Sequence, residues 1–93
     1  MSLLSGQITI AAAGTAVQGP DVDIVNDVLI RAMTGNGGLV YFGNDGAGDV
    51  TALNGYELAA GESAEVTSST VTNLNQLWFD AAANGYKFCW IIV

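Results

Sequence analysis

Apolar and polar positions alternate along short stretches of this chain, and glycine or asparagine interrupts them roughly every eight to twelve residues. That rhythm belongs to an antiparallel β-protein, in which brief strands are joined by turns. Gln7-Ile8-Thr9-Ile10 alternates as a half-buried strand does. Gly14 breaks the pattern, Thr15–Gln18 resumes it, and Gly19-Pro20-Asp21 marks a turn.

The stretch Val22–Met33 fits two patterns. Val25, Val28, Leu29, Ala32 and Met33 recur at helical spacing, with Asp21 placed to cap a helix. Against this, Val22, Ile24, Val25 and Val28 are branched at Cβ, and their stiff rotamers suit a pleated surface. The branching favours a strand from about Asp27 to Met33, reached by an extended approach.

Gly35-Asn36-Gly37-Gly38 predicts a tight connection at positive φ. Leu39-Val40-Tyr41-Phe42 follows as an uninterrupted apolar strand, so both of its faces need cover: a second sheet on one side, a subunit on the other. Residues 43–49 predict a loop, Asn54-Gly55 a two-residue turn, and Tyr56–Leu58 a short strand. Ala59–Glu62 reads as a type II turn with Gly61 at its positive-φ position, and Ala64–Thr67 alternates again. Last comes a predicted hairpin: Leu77–Ala81 leads through Asn84-Gly85 into Tyr86–Val93. In that final strand Tyr86, Phe88, Trp90 and Ile92 share one face, and Lys87, Cys89, Ile91 and Val93 the other.

These seven or eight short strands predict a single all-β domain over residues 1–93, a compact antiparallel β-sandwich or jelly roll in which two layers bury one face each. The residues expected in its core or in an assembly interface are Leu39, Tyr41 and Phe42 of one doubly apolar strand. Phe88, Trp90, Ile92 and Val93 of the other join them, with Trp78 between.

Composition bears on how so small a domain persists. A 93-residue chain buries a modest share of its surface and is marginal without added support. Cys89 is the only cysteine and histidine is missing, so neither a disulfide nor a zinc site is expected. Apolar residues make up 51% and charged ones 12%, half the usual charged share of about 25%. Low charge with high apolar content points to surface hidden against another copy, that is, to a homo-oligomer.

Nine acids against two bases, Arg31 and Lys87, give a formal charge of −7. Two cations cannot neutralise a phosphate backbone, and the net charge is repelled by anionic membranes; no nucleic-acid or membrane partner is expected. The opening residues lack a basic region followed by an apolar run, and the longest apolar stretch is far short of a bilayer span. Cytosolic synthesis of a soluble protein is the expectation.

Chemistry is sparse. Without histidine, a nucleophilic Cys89 or serine would depend on Lys87 or a carboxylate. Cys89 lies between Phe88 and Trp90, where a thiol behaves as a small hydrophobe, and it is expected to pack in the core. Glu57, Glu62, Glu65 and Asp80 are spread over polar edges and read as solvated charge rather than a glycosidase pair. Residues 44–49 offer oxygen ligands and glycines like part of a calcium loop, but not the spacing or closing glutamate of an EF-hand. No catalytic residue, cofactor or metal is expected, and the chain is not expected to be an enzyme.

One further pattern lies in the order of segments: Gly6-Gln7 with its Thr-bearing strand, Ala13–Gln18, Leu39–Gly43, Asn54–Ser63 and Asn73–Ala81. This order resembles small β-sandwich proteins of tailed-phage virions, of the capsid-decoration and head-fibre type, from about Gly6 to Trp90. Many of those proteins carry proline where this chain has Ala60, so its turn is less rigid. The resemblance implies a non-enzymatic virion component that self-associates, often as a trimer, and docks on the major capsid protein. It would lie on the capsid surface after synthesis in the host cytoplasm. The competing reading is a carbohydrate-binding or adhesion module of a head or tail fibre, with Trp78, Trp90 and the tyrosines stacking on sugars.

Overall fold

The computed structural model describes residues 4–43 and 50–93. The glycine-rich segment 44–49, with its candidate calcium carboxylates, lies outside them. Within the described residues the chain forms β1 (Ser5–Thr9), β2 (Val17–Gln18), β3 (Asp27–Ala32), β4 (Val40–Gly43), β5 (Tyr56–Leu58), β6 (Ser63–Thr67), β7 (Trp78–Ala81) and β8 (Lys87–Ile92). One turn of 3-10 helix, Leu74–Gln76, precedes β7.

The strands build two four-stranded antiparallel sheets, sheet A in the order β1-β8-β3-β6 and sheet B in the order β2-β7-β4-β5. Four of the pairings nest one inside the next: β4 with β5, β3 with β6, β2 with β7 and β1 with β8. Such a nested ribbon buries its apolar side only by rolling up. The roll adds the pairs β3–β8 and β4–β7, which close the two sheets over a common core. This is the jelly roll, one of the two architectures the strand pattern predicts.

β3 settles the ambiguous segment as a strand. Val28, Ile30 and Ala32 are buried while Leu29 and Arg31 face out, a period of two that no helix produces. Val25, which a helix would turn inward, is 74% exposed.

The expected terminal hairpin is a different object. β7 pairs with β2 and β4, β8 with β1 and β3, and the Asn84-Gly85 turn carries the chain from one sheet to the other. Apolar inner faces on both strands drive this, because facing one another across the core buries more than lying side by side. Gly85 still takes positive φ, at 84°. Gly61 does so at 85°, with Glu62 N–H donating to Ala59 C=O, as the type II turn requires.

Other glycines serve space rather than φ. Gly35, Gly37 and Gly38 are not at positive φ, contrary to expectation. A Cβ on Gly37 would stand 2.9 Å from the Tyr86 hydroxyl, and the connection is tied to β8 by Asn36, whose side chain bonds both backbone groups of Lys87. Asn54-Gly55 is no hairpin tip either. Both N–H groups donate to Thr51 C=O, and Gly55 lets the turn lie flat on Tyr41.

Phe42, Phe79 and Phe88 form the centre of the core, with Ile10, Ile30, Val28, Val40 and Leu74 fully enclosed around them. Each such side chain contributes roughly 1.5–3 kcal/mol by leaving water. At one end Asn73 binds two connections together. Its side chain caps the 3-10 turn through Asn75 N–H, accepts from Val22 N–H, and donates to the carboxylates of Asp21 and Asp23.

Candidate assembly surface

The residues expected in core or interface separate cleanly. Phe42, Phe88 and Trp90 belong to the core, and Ile92 packs half-buried against it. Leu39 and Trp78 are half-buried, and Val93 is 54% exposed.

Tyr41 is buried on the outer face of sheet B, where a subunit is expected to cover it. The cover is the chain's own: Gly55 approaches the Tyr41 Cβ so closely that an added methyl would stand 2.7 Å away, and Val50 is enclosed beside it. Across the sheet from Tyr41 is Asp80. Expected as solvated charge, it is 2% exposed, and its Oδ1 accepts from Gly14 N–H at 3.0 Å and from Ala81 N–H at 2.8 Å. The carboxylate therefore pins the 11–15 connection over sheet B.

Among the described residues nothing covers the outer face of sheet A. Register sets Leu29 beside Ile91 and Arg31 beside Cys89, with Ser5 and Gln7 completing the rows on β1. Cys89 is thus not a core residue. Phe88 and Trp90 turn inward, so the thiol between them turns out, half-buried and unpaired. Together these side chains frame a shallow depression of about 400 Å³. Leu29 is 37% exposed, and Leu4 and Val93 are exposed at the end of the same sheet. Both cations of the chain, Arg31 and Lys87, stand on this face. Its acids lie toward β6. There the Asp27 carboxyl, by a shared hydrogen bond and then by its charge, raises Glu65 above the ordinary 4.5.

This arrangement can bury apolar area against a partner. Leu29 and Ile91 as joint members of an outward row were not visible in the pattern, because their adjacency arises from register between distant strands. Alternation in each strand taken separately was the only signal.

Among the described residues no three His, Cys, Asp or Glu side chains gather where they could hold a metal ion. The indole nitrogens of Trp78 and Trp90 are enclosed without a hydrogen-bond partner among the described residues; Trp90 is 8% exposed and Trp78 half-buried. The exposed aromatic is Tyr56, at 62%, edge-on to Phe42 at the mouth of a crevice between β5 and β6.

No known protein family matches the chain, and no curated protein sequence does either. Among solved structures, a similar chain comes from work describing Bacillus endospore appendages as a novel family of disulfide-linked pili. The identity is 24%, the match spans 97% of this chain and 85% of that one, and the TM-score is 0.42. A likeness at that level carries nothing about what this chain does.

Proposed function

We propose that this protein is a non-enzymatic structural subunit whose work is to associate with copies of itself. The outer face of sheet A carries the proposal: an apolar row through Leu29 and Ile91, left open on a domain too small to leave apolar area idle. The site in the virion is the finer part of the reading, supported by the resemblance in segment order to phage capsid-decoration proteins. On that reading the assembled subunit docks on the major capsid protein and sits on the capsid surface.

Sedimentation equilibrium over a dilution series tests the first part, with a reversible homo-oligomer expected and a monomer at every concentration overturning it. Co-sedimentation with expanded heads of the encoding phage tests the second. Binding supports decoration; its absence, with assembly intact, removes the capsid and leaves the structural subunit.

A further inference from the structure

β1 is the outer strand of sheet A, and the alternation of its backbone shows where its free groups point. Ile92 N–H donates to Leu4 C=O and Ile10 N–H to Tyr86 C=O, both at 2.9 Å. Residues in phase with Leu4 and Ile10 therefore turn toward β8, and Ser5, Gln7 and Thr9 turn their N–H and C=O groups away from the sheet. No partner meets them among the described residues.

An open edge invites pairing, and proteins guard such edges with charge, proline or brevity. The other three edges here are guarded. β2 has two residues and β5 three. β6 has five but carries Glu65 at its middle with the Asp27 carboxyl beside it. β1 has five residues, Ser-Gly-Gln-Ile-Thr, with no charge and no proline. Charge points the same way. In a chain of −7, β1 and β8 together hold no acid and one cation, Lys87, with Arg31 on the next strand. A second acidic copy meets least repulsion at this edge and most at the opposite one.

We propose that two copies pair β1 against β1, antiparallel about a two-fold axis at Gln7, joining their A sheets into one. The register follows from the free groups. Gln7 faces Gln7, and Ser5 faces Thr9, each facing pair exchanging two backbone hydrogen bonds. On the inner side Gly6 then faces Ile8, and Leu4 faces Ile10. A Cβ on Gly6 would stand 2.7 Å from the Trp90 indole, so the ring of the same chain fills the space beside Gly6. The outer apolar rows of the two copies come to flank the axis. This rests on the assembly reading above and names its contact.

Gln7→Lys and Gln7→Glu test it. Gln7 is exposed and its N–H is unused among the described residues, so at concentrations where the parent is monomeric both variants keep its melting curve. Each sets like charges opposite one another at the axis and raises the dissociation constant about tenfold or more. Mixing the two in equal amounts restores association, because Lys then faces Glu; Glu65→Lys leaves association unchanged. Association of Gln7→Lys with parental strength, or a mixture no stronger than its components, overturns β1 pairing while the structural reading stands. A parent chain that never associates overturns both.

Discussion

Phe79 of β7 and Phe88 of β8 meet edge to face, with ring centroids 4.8 Å apart and planes at 69°, although their strands lie in opposite sheets. Phe42 of β4 stacks on the first ring and meets the edge of the second. The aromatic trio thus stitches sheet to sheet where a side-by-side hairpin would leave two cores. Phe79→Ala or Phe88→Ala is expected to lose about 3–5 kcal/mol. The double variant should lose less than the sum, because one cavity serves both. Urea unfolding of the three variants measures this, and additive losses would show that the rings act separately.

Asp80 offers a second test. Its carboxylate bonds two backbone N–H groups inside the outer layer of sheet B. Asp80→Ala strands the Gly14 donor and is expected to cost about 1–3 kcal/mol, whereas Asp80→Asn keeps an acceptor and costs less. Faster amide exchange at Gly14 in the alanine variant would confirm that the bond holds the 11–15 connection down.

Two glycines should respond in opposite ways. A Cβ on Gly19 would collide with the backbone carbonyl of Leu74, while one on Gly35 meets nothing. Gly19→Ala is expected to lose about 1–3 kcal/mol by overpacking. Gly35→Ala is expected to be neutral or to gain about 0.4–1 kcal/mol by restricting the unfolded chain. Thermal melts of the two variants decide it.

Acidity should stabilise this fold modestly. Glu65 is raised by the neighbouring Asp27, so the folded state holds its proton more tightly than the unfolded one. The resulting stability is complete below the ordinary value of 4.5 and fades as pH rises through the raised one. The melting temperature is therefore expected to climb as pH falls from neutral into the mildly acidic range. Glu65→Gln should flatten that part of the profile; an unchanged slope would place the effect elsewhere.

Most strands were legible because each alternates over its own few residues, as Val28, Ile30 and Ala32 do against Leu29 and Arg31. Their assignment to sheets was not. Asn84-Gly85 between two apolar runs looks the same whether it returns a strand beside its predecessor or lifts it across the core. The glycines near 35–38 announce a turn but not that their purpose is to seat Tyr86. The 3-10 turn had a readable signal in Asn73 and Gln76, three residues apart as a capping box requires, with Gln76 Oε1 accepting from Asn73 N–H at 3.2 Å. Asp80 escaped because a lone carboxylate in a strand reads as solvent-facing until a distant backbone donor, Gly14, is seen to reach it. The outer row of sheet A depends on pairing residue 29 with residue 91, which local pattern does not specify.

β8, the last of the described strands, lies between β1 and β3, hydrogen-bonded to both. During synthesis, then, the other seven described strands leave the ribosome before the one that joins two of them, and sheet A stays split until β8 emerges. Over that interval the inner faces of β1 and β3 have no permanent neighbour between them, and a nascent chain in this condition is sticky toward its siblings on the same message. The nested order that makes the finished roll so compact also delays its closure until β8 has been made.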